Sequence, residues 1–457
     1  MSRLIALAAV LASVVIFFWP VPDGLSPTVM HAAAVATLTI GLLATVALPE
    51  FLTVLIFFFL CVVLTVAAPE VVFSGFTSSA VWLVFGGLIL GAAIDITGLA
   101  ARAAGYLERV FASSYPRVVT GTVLLMALLA FVMPSSIGRV VIMMPIVLAL
   151  AARLGFDSDS NGRAGLALAV AMGAVGPTFA ILPASVPNVA MAGAAEAIHG
   201  VQLAYSEYLL LHFPVIGVIG IIALPIFIVL MFPARIEVRA DGGGGAPTPL
   251  TPEERRLLVI LFTALALWAT DTLHGVNPAW VSLGAAIVAI LPGVGVMAPG
   301  VVLQRVTLGP ILMLAGVIGL GAVVVQSGLG RVLGGWLIDA LAISPGGGFG
   351  NFASVIGLGV SMGLITTLPG LPAIMTAFAD ALADATGWPL LTVLMAQVPS
   401  WALTMFPYQA PPLIAAKALS GLSVGRFIRL MLPFALFGWV VMVPLQYLWW
   451  RFLGYFS

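Results

Sequence analysis

The chain has 457 residues, 62% hydrophobic and only 7% charged, with 17 Lys and Arg balanced by 17 Asp and Glu. A soluble domain carries about 25% charged residues, so this composition, with a mean hydropathy of +1.21, describes an all-α polytopic membrane protein. Zero net charge gives no sign of a nucleic-acid partner, and a single cysteine, Cys61, excludes an intramolecular disulfide or a cysteine-based metal cluster.

In chain order, Leu4–Trp19 is apolar behind one basic residue, and no small-x-small cleavage pattern precedes Pro20, which predicts an uncleaved first helix. Apolar runs at Val29–Leu48, Phe51–Ala68 and Ala80–Ala100 lead to a stretch from Arg117 to Ala151 that organises the rest. Two arms of roughly 16 and 12 apolar residues flank Pro134, Ser135, Ser136, Ile137, Gly138 and Arg139, whereas a crossing needs roughly 20. The expectation is a re-entrant hairpin over 118–151. Irregular backbone at membrane depth survives only inside protein or beside a wet cavity, so its tip is a candidate binding element.

A polar linker follows at 233–256, with Gly242–Gly245 and Pro247 as its flexible core and Arg235, Arg239, Arg255 and Arg256 as its charges. With Arg3 cytoplasmic, Arg102, Arg109, Arg117, Arg153 and Arg163, the linker, Arg305, Lys417, Arg426 and Arg429 all fall inside, as the positive-inside rule expects. About eleven transmembrane helices result, plus the hairpins.

The two halves share a pattern. Gly86, Gly91, Gly98 and Gly105 in Trp82–Leu107 meet Gly316, Gly321, Gly328 and Gly335 in Leu312–Leu337 without a gap. Packing faces alone would explain each glycine but not their common order. The copies run in opposite directions by the crossing count, an inverted repeat with a midplane site between its halves. The second half then needs its own hairpin, entering from outside, and 352–383 supplies it, broken at Thr366, Thr367, Leu368, Pro369 and Gly370. Each half continues into a helix interrupted by proline and polar residues, placing Pro187 and Asn188 opposite Tyr408 and Gln409. The division is therefore 1–78, a first repeat at 79–232, the linker 233–256, helices in 257–309, and a second repeat at 310–457.

At these residues the chain resembles the divalent-anion:sodium symporters of the ion-transporter superfamily, carriers of di- and tricarboxylates or sulfate. Asp95-Ile96-Thr97-Gly98-Leu99 matches the family helix ending in Thr-Gly-Leu. Ser135-Ser136-Ile137 with Met144-Pro145-Ile146 stands at its Ser-Asn-Thr and Leu-Pro-Ile elements. Val186-Pro187-Asn188 stands at Pro-Pro-Asn, and Pro407-Tyr408-Gln409 at a Gly-Tyr-Gln element. The resemblance implies a scaffold formed by 1–78 and 257–309, a moving transport domain, a homodimer and elevator-type alternating access. The matched positions, with the polar residues of the two breaks and the intramembrane Arg139 and Asp380, give the site residues. Ser135, Ser136, Ile137, Arg139, Pro187, Asn188, Thr366, Thr367, Pro407, Tyr408 and Gln409 are candidates for solute binding. Ser135, Ser136, Ser185, Thr367 and Asp380 are candidates for coupling to Na⁺ or H⁺.

The chain departs from the family at both Ser-Asn-Thr positions, and Arg139 follows the first. An intramembrane arginine costs about 2.5–3.5 kcal/mol or more and is by default functional. Arg139 either replaces a sodium charge, pairing with an anion or capping an emptied ion site, or snorkels to headgroups or pairs with Asp95. Asp95 and Glu196 read as structural or interfacial, and Trp449, Trp450 and Tyr455 as an aromatic belt. His31, His199, His212 and His274 lack ligand spacing, so no metal site is expected.

The expected activity is secondary active transport of a small anion across the cell membrane, with the N-terminus cytoplasmic. Alternatives are the large membrane subunit of a binding-protein-dependent carrier and an anion channel. With no phosphate-binding loop, nucleophile elbow or zinc-protease pair, neither ATP-driven transport nor an enzyme is expected, and no resident cofactor is needed.

Overall fold

The computed structural model describes residues 2–45, 47–111, 113–133, 135–236, 249–341 and 343–456. Pro134 of the first break and Arg239, Gly242–Gly245 and Pro247 of the linker lie outside the described residues. Every regular element among the described residues is helical. Among the described residues, nine helical stretches are long and apolar enough to cross a membrane, and the shorter apolar helices Leu4–Phe18, Glu50–Val63, Pro278–Ile290 and Leu390–Ala402 accompany them.

The glycine pattern marks two matching units. Ser79–Thr97 ends at Gly98 with φ 75° and continues as Leu99–Phe111, while Gly309–Gln326 leads to Gly328 with φ 85° and continues as Leu329–Leu341. Left-handed backbone of this kind ends a helix cheaply only without a Cβ. Gly86 and Gly316 do the same job at the same place in each unit. A Cβ on Gly86 would lie 2.6 Å from Ser282 Oγ, and one on Gly316 would lie 2.1 Å from Val54 Cγ1. The helix preceding each unit thus packs on the other unit, Pro278–Ile290 on Ser79–Thr97 and Glu50–Val63 on Gly309–Gln326.

The first hairpin is built from Tyr115–Val132 and Ser136–Arg153, each of 18 residues. That is about 27 Å of helix, close to a hydrocarbon thickness. Its arms exceed the roughly 16 and 12 residues read from the apolar runs. Tyr115 and Pro116 open the first helix, and Arg139 is held inside the second instead of terminating it. Length therefore does not force this hairpin to turn back. The second hairpin is Gly348–Ile365 followed by the short helices Leu371–Ala377 and Ala379–Thr386.

Both expected helix interruptions are present. In the first half Asn161–Gly173 gives way to single 3₁₀ turns at Pro177–Ala180 and Leu182–Ala184 before Val186–His199. In the second, Val398–Ala402 and a turn at Pro407–Gln409 precede Pro411–Ser420. The halves then pack crosswise. Ser136–Arg153 lies on Pro411–Ser420, and Val186–His199 lies on Leu371–Ala377.

Several peripheral residues have structural partners. Asp95 pairs with Arg305 at 3.5 Å, and Glu196 accepts from Ser79 N and from the Ser78 and Ser79 hydroxyls, tying one helix start to another's end. Trp450, expected at an interface, is fully buried, and its Nε1 donates to Leu211 O at 3.1 Å. Outside the apolar segments Arg102 grips both oxygens of Glu254, at 2.6 and 2.8 Å, and holds that carboxyl below its usual range.

If the close approaches at the matched glycines hold the halves together, Gly86→Val should cost about 1–3 kcal/mol by overpacking and lower the unfolding temperature of the purified protein. Gly335→Ala, where an added Cβ meets nothing within 4 Å, should leave it unchanged or slightly raised.

Candidate functional site

Both tips and both broken helices close on one cavity of about 100 Å³. Ser135, Ser136 and Ile137 line it from the first tip, Leu368 and Pro369 from the second. Ser185, Val186 and Pro187 enter from one broken helix, and Ala410, Pro411 and Pro412 from the other. These are not scattered contacts. In three cases the wall is a helix N-cap with its first two residues: Ser135 before Ser136–Arg153, Ser185 before Val186–His199, and Ala410 before Pro411–Ser420. Helix N-termini carry partial positive charge, so three of them directed at one volume favour an anion.

The polar side chains of the wall are the three serines and Glu50. Ser135 Oγ accepts from Gly138 N at 3.0 Å, capping its helix, and Ser136 Oγ donates to Ala184 O at 2.9 Å. Ser185 Oγ is buried and has no partner among the described residues. Its hydrogen-bonding capacity is unspent. Glu50, the first residue of Glu50–Val63, went unnoticed in the sequence. An acid after Pro49 at the edge of an apolar run reads as an interfacial residue, and only the packing of its helix on Gly309–Gln326 brings it to the cavity.

Other expected site residues stand behind the wall. Asn188 is fully buried; its Nδ2 donates to Phe179 O at 3.0 Å and Ile181 O at 2.9 Å, and its Oδ1 accepts from Trp401 Nε1 at 3.0 Å. Gln409 Oε1 accepts from Met405 N and Phe406 N, each at 2.8 Å, while Nε2 donates to Gly363 O at 2.7 Å. Both amides are spent on holding broken backbone. Tyr408 is 44% exposed and its hydroxyl donates to Leu364 O; Pro407, Thr366 and Thr367 are buried beside the wall-forming residues. Asp380 lies outside the cavity wall, its side chain 66% exposed and paired with His199 at 3.3 Å.

Arg139 is wholly buried, one layer behind Ser136. Its Nη1 donates to Met133 O at 2.5 Å. Around Nη2 stand Ser136 Oγ at 3.1 Å, Ala174 O at 3.0 Å, Thr178 Oγ1 at 3.4 Å and Ala184 O at 3.1 Å. It neither reaches headgroups nor pairs with Asp95.

An all-helical membrane body whose two matched units close on one small cavity has the build of a secondary transporter. The chain belongs to the family of the sodium:sulfate symporter transmembrane region, which matches residues 1–456. A membrane protein of Cupriavidus necator is 25% identical over 395 residues, covering 84% of this chain and 76% of that protein. The crystal structure of the Alcanivorax borkumensis YdaH transporter, reported for its unusual topology, matches with a TM-score of 0.53 at 16% identity, over 83% of this chain and 86% of that one. At such identity the likeness is one of fold.

The family's description names sodium, a hard cation that takes oxygen ligands. At the first tip the oxygens are present, but a guanidinium fills the space among them. At the second tip Thr366 and Thr367 adjoin Leu368 and Pro369, which add no side-chain oxygen. The residues present do not fit a sodium ion at the first tip.

Asn188→Leu should strand Ile181 O and Trp401 Nε1, at about 1–3 kcal/mol each, while Phe179 O keeps its bond from Tyr208. Adding Trp401→Phe should cost less than the sum of the two single changes. Thermal unfolding of the three variants measures this; strict additivity would show that the bond does not brace the site.

Proposed function

We propose that the protein is a secondary active permease for small anions of the dicarboxylate or sulfate class, working as a homodimer by elevator-type alternating access. The observation that carries this is the convergence of three helix N-termini on a cavity lined by Ser135, Ser136 and Ser185. Partial positive charge and unspent hydroxyl capacity in a small pocket together suit a compact oxyanion. The polar side chains lie on the first half, whereas Leu368, Pro369, Ala410, Pro411 and Pro412 make an apolar face opposite. A carboxylate with a short carbon chain fits such a two-sided pocket as well as a tetrahedral oxyanion does.

The inverted-repeat reading, with each hairpin re-entrant from its own side, is supported by the equal helix–glycine–helix units and by the crosswise packing. The arginine distribution supports a cytoplasmic N-terminus. Of the two candidate coupling ions, Glu50 favours the proton. A carboxylate in the wall repels an anion, while its protonated form donates a hydrogen bond to one. Proton and anion therefore load together.

Uptake of radiolabelled succinate, citrate and sulfate into proteoliposomes, with and without Na⁺ and at two pH values, tests the function. Saturable uptake with counterflow is expected for at least one, and a non-saturating current would indicate a channel. Ser185→Ala should raise KM about 10-fold or more through one lost hydrogen bond to a charged group. Glu50→Gln should flatten the pH dependence of uptake.

A further inference from the structure

We infer that the Arg139 guanidinium is a tethered cation. It fills an oxygen cage suited to a monovalent metal ion, so this half of the site carries its positive charge permanently and loads no sodium.

The geometry around Nη2 is the argument. A guanidinium NH₂ has two hydrogens, yet four oxygens stand 3.0–3.4 Å from this one nitrogen. Two of the four are hydroxyls whose own hydrogens are committed elsewhere. Thr178 Oγ1 donates to Ala174 O at 2.7 Å, and Ser136 Oγ donates to Ala184 O at 2.9 Å. Their lone pairs are thereby turned toward the nitrogen. Ala174 and Ala184 bracket the interruption after Asn161–Gly173, where the missing helical turns free carbonyls to point inward. The result is a convergent set of neutral oxygens around one point of positive charge, the arrangement that dehydrates and holds an alkali ion.

A structural arginine would be expected to meet a carboxylate, because burying an unpaired charge is expensive. Among the described residues none bonds to Arg139. The cage has no formal negative charge to neutralise and acts by dipoles alone, as it would on a metal ion. The side chain rises from the first turn of Ser136–Arg153, whose N-cap and opening residues face the cavity. The fixed charge therefore adds to the helix N-termini in attracting an anion, at one residue's remove.

If the transport reading holds, a sodium gradient exerts no force through this cage, and the driving ion must act elsewhere. The inference itself does not need a solute. It is tested by thermal unfolding of the purified protein in matched NaCl and choline chloride. The wild type should unfold at the same temperature in both. Arg139→Ala should unfold earlier in choline and recover saturably in sodium, by about 2 °C or more. A saturable sodium shift in the wild type that Arg139→Ala leaves unchanged would overturn the proposal. So would a folded Arg139→Ala protein indifferent to sodium.

If Arg139→Ala does not fold, Arg139→Lys and Arg139→Gln decide. The lysine variant should retain more of the wild-type unfolding temperature than the neutral glutamine variant, and equal loss would show that the cage does not need charge. Because chloride is matched throughout and no succinate, citrate or sulfate is added, these measurements can succeed while uptake of every tested solute fails, and the converse.

Discussion

A helix broken inside hydrocarbon leaves carbonyls and amides that cost several kcal/mol each unless something pairs with them. This chain breaks its helices at the centre in both halves, and the rest of the structure answers that constraint. Asn188 collects two carbonyls from its own interruption and reaches Trp401 in the other half. Gln409 takes two backbone amides and holds Gly363 O of the second hairpin, while Leu368 N donates to Gln409 O. Arg139 gathers what remains at the first tip. The polar groups that make a site possible are mostly employed in keeping it open.

The same division of labour explains why the cavity wall is sparse. Once the amides are committed behind it, the field in the cavity comes from helix starts, a few hydroxyls and the guanidinium one residue behind them. Those groups are fixed by backbone geometry, so little reorganisation is needed on binding. The wall is also lopsided. Every polar side chain comes from the first half or from Glu50, and the second half contributes apolar side chains alone. Side-chain polarity in the wall is thus confined to the first half and Glu50, while the second half adds a helix start at Ala410 to its apolar contacts.

Much of this was legible in the residues, for identifiable reasons. Gly98 and Gly328 advertise left-handed helix ends, and Gly86 with Gly316 advertises close approach, because only the absence of a Cβ permits either. The interruptions were legible because proline and amide residues are rare in an uninterrupted apolar helix. The break at Pro134 marks Ser135 and Ser136 in the same way, whereas Ser185 carries no such mark of its own. What stayed hidden depended on tertiary placement. Glu50 looks like an end-of-helix acid until its helix is set against Gly309–Gln326. Asn188 and Gln409 read in sequence as open to a solute because most of their partners are main-chain atoms, which leave no trace there. Arg139 is ambiguous in sequence for the same reason, since three of its five acceptors are main-chain carbonyls and the other two are hydroxyls oriented by such carbonyls.

The crosswise packing bears on how such a site can be exposed to each side in turn. Each tip helix lies on the opposite half's broken helix, so separating the tips would tear the cavity apart and unpair Asn188 from Trp401. Opening by parting the halves is therefore the costly route. The flanking helices make a different contact. Glu50–Val63 and Pro278–Ile290 meet the central body through glycines at near-backbone distance, at Gly316 and Gly86, and Gly75 lies equally close to Ala315. At Gly316 the branched Val54 side chain fills the space a Cβ would take, so this seam is a fitted contact as well as a close one. Glu50 sits at this seam, on a flanking helix yet in the cavity wall.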